Sequence, residues 1–488
     1  MKCLLVGAIA PPLGNRVSPG CLPFGAMALS GFLKAKGVDC EVISTALPNA
    51  AREIKDRLAH VDLLGISSMS GPYLEYGISV AKAAKKLRPG LPIVWGGPHA
   101  SLMGEDLIRN NLADYVIRGA GEKSLLALIT AIEGRLAFAS VPALLWPEGG
   151  SLKENPQDDS FDINELPQLD YSVVSLKYPH LLKEDFAYFS SRGCPFDCSY
   201  CVASQLYNRR WHNKTEDKVV EELAQDYEKY KFKAVFFWDD NLFVDSNRLK
   251  RILDRLQERG IQFNWAGFCR ADLLTRLDEN LLLQFKKNGL QWMSIGAESG
   301  SDAVLKQLEK GIKVEDIMEA AHKLKRCGIA CDFSFMAGIP GESKEDFYKT
   351  LAVVRKIKSI IPDASVRVFK FIPYPKMPIL EKIKDAARFL PADVFGWGRV
   401  TYQTKNFPWV PPEIHSALTI LSAASAYSLR PRGFSLKSLF MAVLYYINQF
   451  RLKTNFFYFP LEAVLVERLY GKLTQKVLGN FTKELNNL

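Results

Sequence analysis

Long apolar runs are missing from this sequence. No uninterrupted apolar stretch reaches the length that a membrane span needs. The first residues are apolar only as far as Pro11 and lack the longer run and cleavage site of a signal peptide, so residues 1–7 are expected to form a first strand. Both absences argue against a membrane-spanning or exported protein.

Cysteine is too sparse for a disulfide framework, since the chain has nine cysteines among 488 residues. Three of them share one loop, and the other six are scattered along apparent strands and helix ends: Cys3, Cys21, Cys40, Cys269, Cys327 and Cys331. Scattered thiols are typical of a reducing compartment, so we expect a cytoplasmic protein.

The excess of positive over negative charge is also small, because the net charge is only +10 over 488 residues. This balance permits an acidic partner or a membrane surface but requires neither. Basic residues near the C-terminus are interrupted by long apolar stretches, so nucleic acid is not an expected partner. A chain of 488 residues is too long for a single hydrophobic core, so we expect two to four domains.

The most informative feature is the loop that holds Cys194, Cys198 and Cys201, with Tyr200 before the third cysteine. The spacing C-x3-C-x2-C offers three thiolates in one short loop and leaves a metal with an open position. Cysteine thiolates hold iron–sulfur clusters, whereas zinc loops usually use C-x2-C pairs and a fourth ligand. Only His212 follows nearby. The spacing therefore favours a three-cysteine iron–sulfur cluster over zinc.

Short apolar strands alternate with amphipathic helices over residues 1–145, which predicts a doubly wound, Rossmann-like parallel sheet. Strands are expected at 3–8, 40–44, 62–67, 92–96 and 114–117, and helices at 24–35, 73–87 and 122–132. Ligands of such sheets bind beyond the carboxyl ends of the strands, where glycine allows close approach. The candidate ligand residues at these ends are Ser67, Ser68, Met69, Gly96, Gly97, His99, Gly119, Gly121 and Glu122.

The rest of the chain divides into three parts. Residues 146–185 are polar and contain proline, which predicts a linker. Residues 186–385 contain six strand candidates, which predicts a partial (β/α)6 barrel of the TIM type whose site lies at the carboxyl ends of its strands. These candidates are 186–191, 234–239, 262–268, 292–297, 331–336 and 366–372. Residues 386–488 are expected to form a helical domain.

The cysteine loop resembles the signature of radical S-adenosylmethionine (SAM) enzymes. The segments 65–72, 93–99 and 114–122 resemble the cobalamin-binding domain found ahead of many radical SAM domains. The resemblance covers residues 1–380 and implies a [4Fe-4S] cluster, SAM and cobalamin as cofactors. The Asp-x-His-x-x-Gly motif of other cobalamin proteins is absent, so the cobalamin is expected to be base-off, without a histidine ligand.

The resemblance also implies roles at the ends of the barrel strands. Asp239, Asp240 and Asn241 match the segment that holds the amino group of SAM, and Arg270 is expected near its carboxylate. Helix capping and a surface ion pair are the alternative roles of these residues.

Three further matches complete this expected SAM site. Glu298 matches the acid that accepts hydrogen bonds from the ribose hydroxyls. Ile339 and Pro340 match the segment that packs on the adenine. Tyr200 belongs to the cysteine signature itself.

The implied function is a cobalamin-dependent radical SAM methyltransferase. One SAM methylates cob(I)alamin, a second yields a 5′-deoxyadenosyl radical that abstracts a substrate hydrogen, and the substrate radical takes the methyl group from cobalt. The alternative is a radical SAM cyclase or oxidative ring-forming enzyme, similar to the anaerobic porphyrin cyclases. A non-catalytic cobalamin or redox sensor and a methylthiotransferase, which would use Cys3, Cys21 and Cys40 for a second cluster, are less favoured.

The expected partners are a small-molecule or lipid-like substrate and an external electron donor of the flavodoxin or ferredoxin type. From Arg430 onward, nine Lys or Arg oppose three Glu, between aromatic segments at 434–450 and 456–460. This tail is expected to cap the barrel mouth, and peripheral contact with the inner face of the membrane is the alternative.

Overall fold

The computed structural model describes residues 1–10, 19–47, 49–157, 161–172, 179–383, 385–400 and 407–424, with short stretches between 442 and 486. Most of the predicted basic and aromatic tail therefore lies outside the described residues. Within the described part of the chain, no helix combines the length and apolarity that crossing a membrane requires.

The first half of the chain forms a seven-stranded sheet in the order β2-β1-β3-β4-β5-β6-β7. Its strands are β1 (Lys2–Ala8), β2 (Asp39–Ser44), β3 (Leu63–Ser68), β4 (Ile93–Gly96), β5 (Tyr115–Ile117), β6 (Leu144–Glu148) and β7 (Ser151–Glu154). Its described helices are α1 (Phe24–Ala35), α2 (Ala50–Leu58), α3 (Pro72–Leu87), α4 (Gly97–Arg109) and α5 (Glu122–Ile132). The first five strands pair in parallel through helical crossovers, which confirms the predicted Rossmann-like fold.

The predicted linker begins too early, because residues 144–154 form a hairpin that extends this sheet. β6 pairs antiparallel with β5 and with β7. Gly149 and Gly150 make the turn with φ angles of 58° and 78°, which glycine adopts without strain. Trp146 is buried on the sheet at 5% exposure. The boundary expected at residue 145 therefore falls inside the hairpin.

The second half forms a six-stranded sheet in the order β8-β11-β12-β13-β14-β15, with every neighbouring pair parallel. Its strands are β8 (Phe186–Tyr188), β11 (Ala234–Phe237), β12 (Asn264–Arg270), β13 (Leu290–Glu298), β14 (Ala330–Ala337) and β15 (Ser365–Lys370). A separate antiparallel pair is β9 (Ser191–Arg192) with β10 (His212–Asn213). Because β8 and β15 are the two edges and do not pair, the barrel is open, as predicted.

Helices cover the outside of this open barrel. They are α6 (Pro179–Lys183), α7 (Val202–Leu206), α8 (Glu216–Tyr230), α9 (Ser246–Glu258), α10 (Ala271–Arg276), α11 (Glu279–Lys287), α12 (Asp302–Gln307), α13 (Val314–Cys327) and α14 (Lys344–Ile360). The main helices are amphipathic, so that α13, for example, buries Ile317, Ala320 and Leu324 on one side. The carboxyl ends of the strands remain open to the loops that carry the candidate site.

The described residues beyond the barrel contact both halves of the molecule, whereas the prediction placed them on the barrel alone. Helix α15 (Val394–Gly398) packs on α3, where the Gly71 amide donates to the Trp397 carbonyl over 3.1 Å. Helix α16 (Pro412–Ala424) lies against β15. Before it, the indole of Trp409 donates to the Gly338 carbonyl over 3.1 Å.

Candidate active site between the two sheets

A cavity of about 430 Å³ lies where the carboxyl ends of the first sheet face the cysteine loop. Eight of the nine predicted ligand residues of the first half line it: Ser67, Ser68, Met69, Gly96, Gly97, Gly119, Gly121 and Glu122. The second half contributes Arg192, Leu206, Tyr207 and Trp238 to the opposite wall. The structure therefore brings these predicted residues together around one space shared by both halves.

Glycine is required on the wall of this cavity. Gly97 has a φ of +85°, and a Cβ atom there would lie 2.8 Å from Ser67 Oγ and 3.0 Å from the Ser68 carbonyl oxygen. A larger residue would strain the backbone and push into atoms of β3. The glycine keeps this end of β4 close to β3 beneath the cavity.

His99 is the predicted ligand residue that the structure places elsewhere. It lies in the first turn of α4, is fully buried, and does not line the cavity. Its Nδ1 atom pairs with Ser70 Oγ at 2.8 Å, and its Nε2 atom has no partner among the described residues. Burial lowers the pKa of His99 to about 4, so its ring is neutral. No histidine is among the residues that line the cavity.

The cysteine loop is held at its start by two carboxylates that follow β11. Asp239 is 1% exposed and accepts hydrogen bonds from the Ser190 amide at 2.7 Å and from the Ser190 and Ser191 hydroxyls at 2.6 Å. Burial raises the pKa of Asp239, although these hydrogen bonds act to lower it. Asp240 accepts from the Gly193 amide at 2.8 Å. Both acids thus support the loop, and a contact of either with SAM remains a prediction.

The three thiols lie on this supported loop, and none of them forms a disulfide. Cys198 is buried, while Cys194 and Cys201 are half-buried. Burial raises the pKa of Cys194 and raises that of Cys201 to about 11, so a bound metal would displace protons from these thiols. Among the described residues, no three His, Cys, Asp or Glu side chains converge at distances that suit a single metal ion.

Arg270, at the end of β12, contacts the cysteine loop directly. Its Nη1 atom lies 3.5 Å from Cys198 Sγ, and its guanidinium lies 3.7 Å from the centre of the Phe196 ring. Asp272 holds the Nε atom at 3.0 Å. This geometry places Arg270 beside the cysteine loop, and its expected contact with the SAM carboxylate stays a prediction.

Glu298, at the end of β13, belongs to a buried network with two other residues. Its Oε1 atom accepts from Lys310 Nζ at 3.0 Å, and the same Nζ lies 3.2 Å from the Tyr200 hydroxyl. Burial opposes the charge of Lys310, but the nearby Glu298 raises the pKa of Lys310 above its usual value, so the lysine is cationic. Glu298 has a φ of +63°, a strained value that functional sites often carry. The network places the predicted ribose acid beside the cysteine loop.

Three further predicted SAM residues follow the strands β11 and β14. Asn241 is 2% exposed, and neither atom of its amide has a partner within the described residues. A buried amide of this kind fits a polar ligand. Ile339 is fully buried, and its amide and that of Gly338 donate to Glu342 Oε2 at 3.3 and 2.6 Å. The Pro340 carbonyl accepts from Gln307, so this turn is fixed on both sides.

Sequence reasoning missed two cationic residues of the site. Lys310 pairs with Glu298, and Arg192 pairs with Glu122 at 2.6 Å across the cavity wall. Glu122 is thus a predicted cavity residue whose carboxylate already has a cationic partner. The available signal for Arg192 was its position two residues before Cys194. No local signal existed for Lys310, because it reaches the site from the end of α12.

Models of two known protein families match the two halves of this chain. The family model described as "Radical SAM superfamily" matches residues 188–354, and the "B12 binding domain" model matches residues 13–129. The chain belongs to the cobalamin-dependent radical SAM enzymes. The two matched regions coincide with the open barrel and with the Rossmann-like sheet.

Individual relatives of this family are distant from the chain. An uncharacterized methyltransferase of Pyrococcus horikoshii is 27% identical over 360 residues, covering 72% of this chain and 75% of that protein. The anaerobic magnesium-protoporphyrin IX monomethyl ester cyclase of Rubrivivax gelatinosus is 24% identical over 361 residues, covering 70% and 63%. The solved structure of the cobalamin-dependent SAM radical enzyme OxsB has a TM-score of 0.71 at 15% identity, over 99% of this chain and 78% of that chain. The last likeness concerns the fold alone.

The residues of this cobalamin-dependent radical SAM enzyme fit the cofactors of its family, which are a [4Fe-4S] cluster, SAM and cobalamin. Three thiols on one loop leave one iron of a cluster without a protein ligand. The unpartnered Asn241 amide suits a polar ligand such as SAM. The glycine-lined cavity suits a bulky, flat group such as a corrin. The matches favour a methyltransferase of this family, and a cyclase is the less favoured alternative.

Proposed function

We propose that this chain transfers a methyl group to an unactivated carbon of a small-molecule acceptor held between the cavity and the cysteine loop. One observation carries the proposal: Arg192 lines the cavity and stands two residues before Cys194. The space for the corrin and the ligands of the cluster are therefore adjacent. When bound, the cluster supplies the electron that cleaves SAM, and cobalamin supplies the methyl group.

The protein's own residues would bind and orient these groups. We assign Cys194, Cys198 and Cys201 to the cluster. SAM is assigned to buried residues that follow or end the strands β11 to β14: the polar side chains of Asn241, Arg270 and Glu298, and the apolar Ile339 and Pro340 for the adenine. The corrin is assigned to the glycine-rich wall, with the segment from Ser67 to Tyr73, where β3 turns into α3, against one face. Since no histidine is among the described residues that line the cavity, we expect cobalamin in the base-off state without a histidine ligand.

Aromatic side chains at and beside the cavity favour an apolar molecule as the methyl acceptor. Phe24 and Trp238 line the cavity with their ring centres 5.8 Å apart. Phe236 continues from Trp238 at 4.8 Å and contacts Phe268 at 5.2 Å and Trp292 at 5.5 Å. These rings are only half-buried, and exposed apolar surface of this kind usually serves binding. A lipid-like molecule or another hydrocarbon-rich compound fits this wall.

The remaining partners follow from the chemistry of the cluster. A single electron must reach it from outside, and we propose a flavodoxin- or ferredoxin-type protein as the donor. Scattered thiols that form no disulfide favour work in the cytoplasm. Contact of the tail with a membrane surface stays a prediction, since most of the tail lies outside the described residues.

A ring-forming oxidative reaction is the second candidate. It is favoured by the similarity to the Rubrivivax cyclase, whose name specifies that reaction. Both candidates use the same cavity and the same loop. They differ in the fate of the substrate, since a methyltransferase adds one carbon and a cyclase does not.

Anaerobic reconstitution tests the proposal. The full chain is loaded with iron, sulfide and hydroxocobalamin, reduced, and given SAM with an isotopically labelled methyl group and extracts of candidate substrates. We expect 5′-deoxyadenosine together with a product that carries the labelled methyl group. The variant with all three loop cysteines changed to alanine should form neither product, whereas Cys331→Ala, which removes a buried strand thiol, should form both.

Other outcomes would separate the alternatives. A cobalamin-dependent product that has lost hydrogens and gained no methyl group would favour the cyclase. A reduced, cluster-loaded protein that never cleaves SAM would contradict both enzymes and favour a cobalamin or redox sensor.

A further inference from the structure

Glu122 and Arg192 form a buried ion pair that joins the two halves of the site. Arg192 Nη1 donates to Glu122 Oε1 over 2.6 Å, and the side chains are 19% and 4% exposed. Glu122 is the first residue of α5, and Arg192 is the last residue of β9. The pair therefore links a helix of the first half to the strand that leads into the cysteine loop.

Arg192 is fixed from several sides. Its guanidinium lies 6.0 Å from the centre of the Phe161 ring. Burial works against its charge, but Glu122 and Tyr207 raise the pKa of Arg192, so the guanidinium remains cationic. Glu122, Arg192 and Tyr207 all line the cavity. A group that fills the cavity would therefore lie against this pair.

The residue after Arg192 cannot absorb a displacement. Gly193 has a φ of +81°, and a Cβ atom there would lie 2.3 Å from the Arg210 carbonyl oxygen. Its amide is bonded to Asp240 at 2.8 Å. Because Cys194 follows directly, a movement of Arg192 is passed to the first cluster ligand.

Stability alone does not account for a buried charge pair, since apolar residues of similar size often stabilise a protein as well or better. The Glu122–Arg192 pair contributes a defined geometry instead, because a short charge-assisted hydrogen bond fixes the distance and direction between two groups.

We propose that the Glu122–Arg192 pair is a positioning device that couples occupancy of the cavity by the corrin to the geometry of the cysteine loop. The inference rests on the proposed function, because it takes the cavity as the corrin site. Coupling between two sites is reciprocal. A loaded cluster should therefore hold Arg192 against Glu122 and tighten the binding of the corrin.

The test measures the dissociation constant of hydroxocobalamin for the full chain, once without the cluster and once with it, under anaerobic conditions. We expect binding to the wild-type protein to be at least about fivefold tighter when the cluster is present, the lower end of typical coupling between sites. In Glu122→Gln this ratio should fall to about one, within the error of the measurement. The double variant Glu122→Gln/Arg192→Gln should behave in the same way and leaves no unpaired charge.

A matched control is Glu165→Gln, which removes an ion pair of 2.7 Å with Lys123, the neighbour of Glu122 on α5. That variant should keep the wild-type ratio. A ratio of one in the wild-type protein would overturn the coupling, and this measurement holds even if a variant does not fold. If Glu122→Gln bound hydroxocobalamin more weakly both with and without the cluster, at an unchanged ratio, the coupling would also be overturned. The pair would then contact the corrin without linking it to the cluster. Failure of the wild-type chain to bind hydroxocobalamin at all would overturn the proposed function as well.

Discussion

The Nη1 atom of Arg270 lies 3.5 Å from the Sγ atom of Cys198, so a buried cation stands against one of the three thiols that we assign to the cluster. The ring of Phe196 and the carboxylate of Asp272 hold the guanidinium there. Hydrogen bonds to cluster sulfurs and the local charge set the reduction potential of iron–sulfur clusters. A cation favours the reduced cluster, because reduction adds negative charge.

Replacing Arg270 should therefore make the cluster harder to reduce. In Arg270→Gln we expect the midpoint potential to fall by about 60 mV, which corresponds to a tenfold change in a one-electron equilibrium. A redox titration of the loaded chain, followed by electron paramagnetic resonance, measures this change. Arg276→Gln is the control, because Arg276 also faces Asp272 at 3.6 Å but is 72% exposed. Equal potentials in both variants would contradict the role of Arg270.

A single methyl group on the cavity wall should impair both folding and cobalamin binding. Gly97→Ala forces a φ of +85° on alanine and places its Cβ atom 2.8 Å from Ser67 Oγ. Backbone strain of this kind costs about 1–3 kcal/mol. We expect a lower thermal midpoint and at least about tenfold weaker binding of hydroxocobalamin, which corresponds to the lower half of that range.

Gly90→Ala provides the matched control for this prediction. Gly90 lies in the same half of the chain, and a Cβ atom there would meet no atom within 4 Å. It should leave both the thermal midpoint and the affinity for hydroxocobalamin near their wild-type values. If Gly97→Ala binds as well as Gly90→Ala, the glycine wall does not face the corrin.

Local patterns predicted the elements well, but they did not predict distant pairs. Helix α1 over Phe24–Ala35 and helix α5 over Glu122–Ile132 have the predicted bounds, because amphipathic periodicity is a property of neighbouring residues. The three-thiol spacing likewise predicted the loop to which we assign the cluster. The bond between Glu122 and Arg192 joins residues that are 70 positions apart, and nothing in periodicity specifies such a partner.

Some predicted ligand residues also make contacts inside the protein that the sequence did not reveal. The sequence predicted a SAM contact for Asp239, which stays a prediction, and it did not show that Ser190 and Ser191 donate to the Asp239 oxygens. His99 follows a glycine-rich turn and therefore suggested a ligand. Its burial in α4 depends on packing that a single sequence does not reveal.

His99 should make the stability of the protein depend on pH. Burial lowers its pKa from 6.5 to about 4. The unfolded chain then binds more protons than the folded one between these values, so this contribution to stability is present above pH 6.5 and is lost as the pH falls toward 4. A tenfold difference in proton affinity between the folded and unfolded chains corresponds to about 1.4 kcal/mol of stability.

His99→Asn tests this dependence and the absence of a ligand role together. We expect the thermal midpoint of the variant to fall less steeply with acid than that of the wild type, and its affinity for hydroxocobalamin to stay within about twofold, well under the 1.4 kcal/mol of a tenfold change. His60→Asn, an exposed histidine of the same half, should keep the wild-type pH dependence. A large loss of affinity in His99→Asn alone would show that His99 contacts the cofactor.

Glu298 and Lys310 should affect stability and SAM binding separately. Their ion pair of 3.0 Å is buried, with side chains 11% and 7% exposed. Removing one partner of such a pair leaves an unpaired charge and costs about 3–5 kcal/mol. Glu298→Gln should therefore lower the free energy of unfolding, and Glu298→Gln/Lys310→Gln should recover much of the loss.

Binding of SAM should not recover in that double variant, because the carboxylate assigned to the ribose hydroxyls is still missing. Equilibrium dialysis of SAM against the cluster-loaded chain should give a dissociation constant raised at least about tenfold in both variants, which corresponds to about 1.4 kcal/mol. Lys306→Gln, at an exposed position on α12, serves as the control and should bind SAM as the wild type does. Recovery of SAM binding together with stability would mean that Glu298 only neutralises Lys310 and holds no part of the ligand.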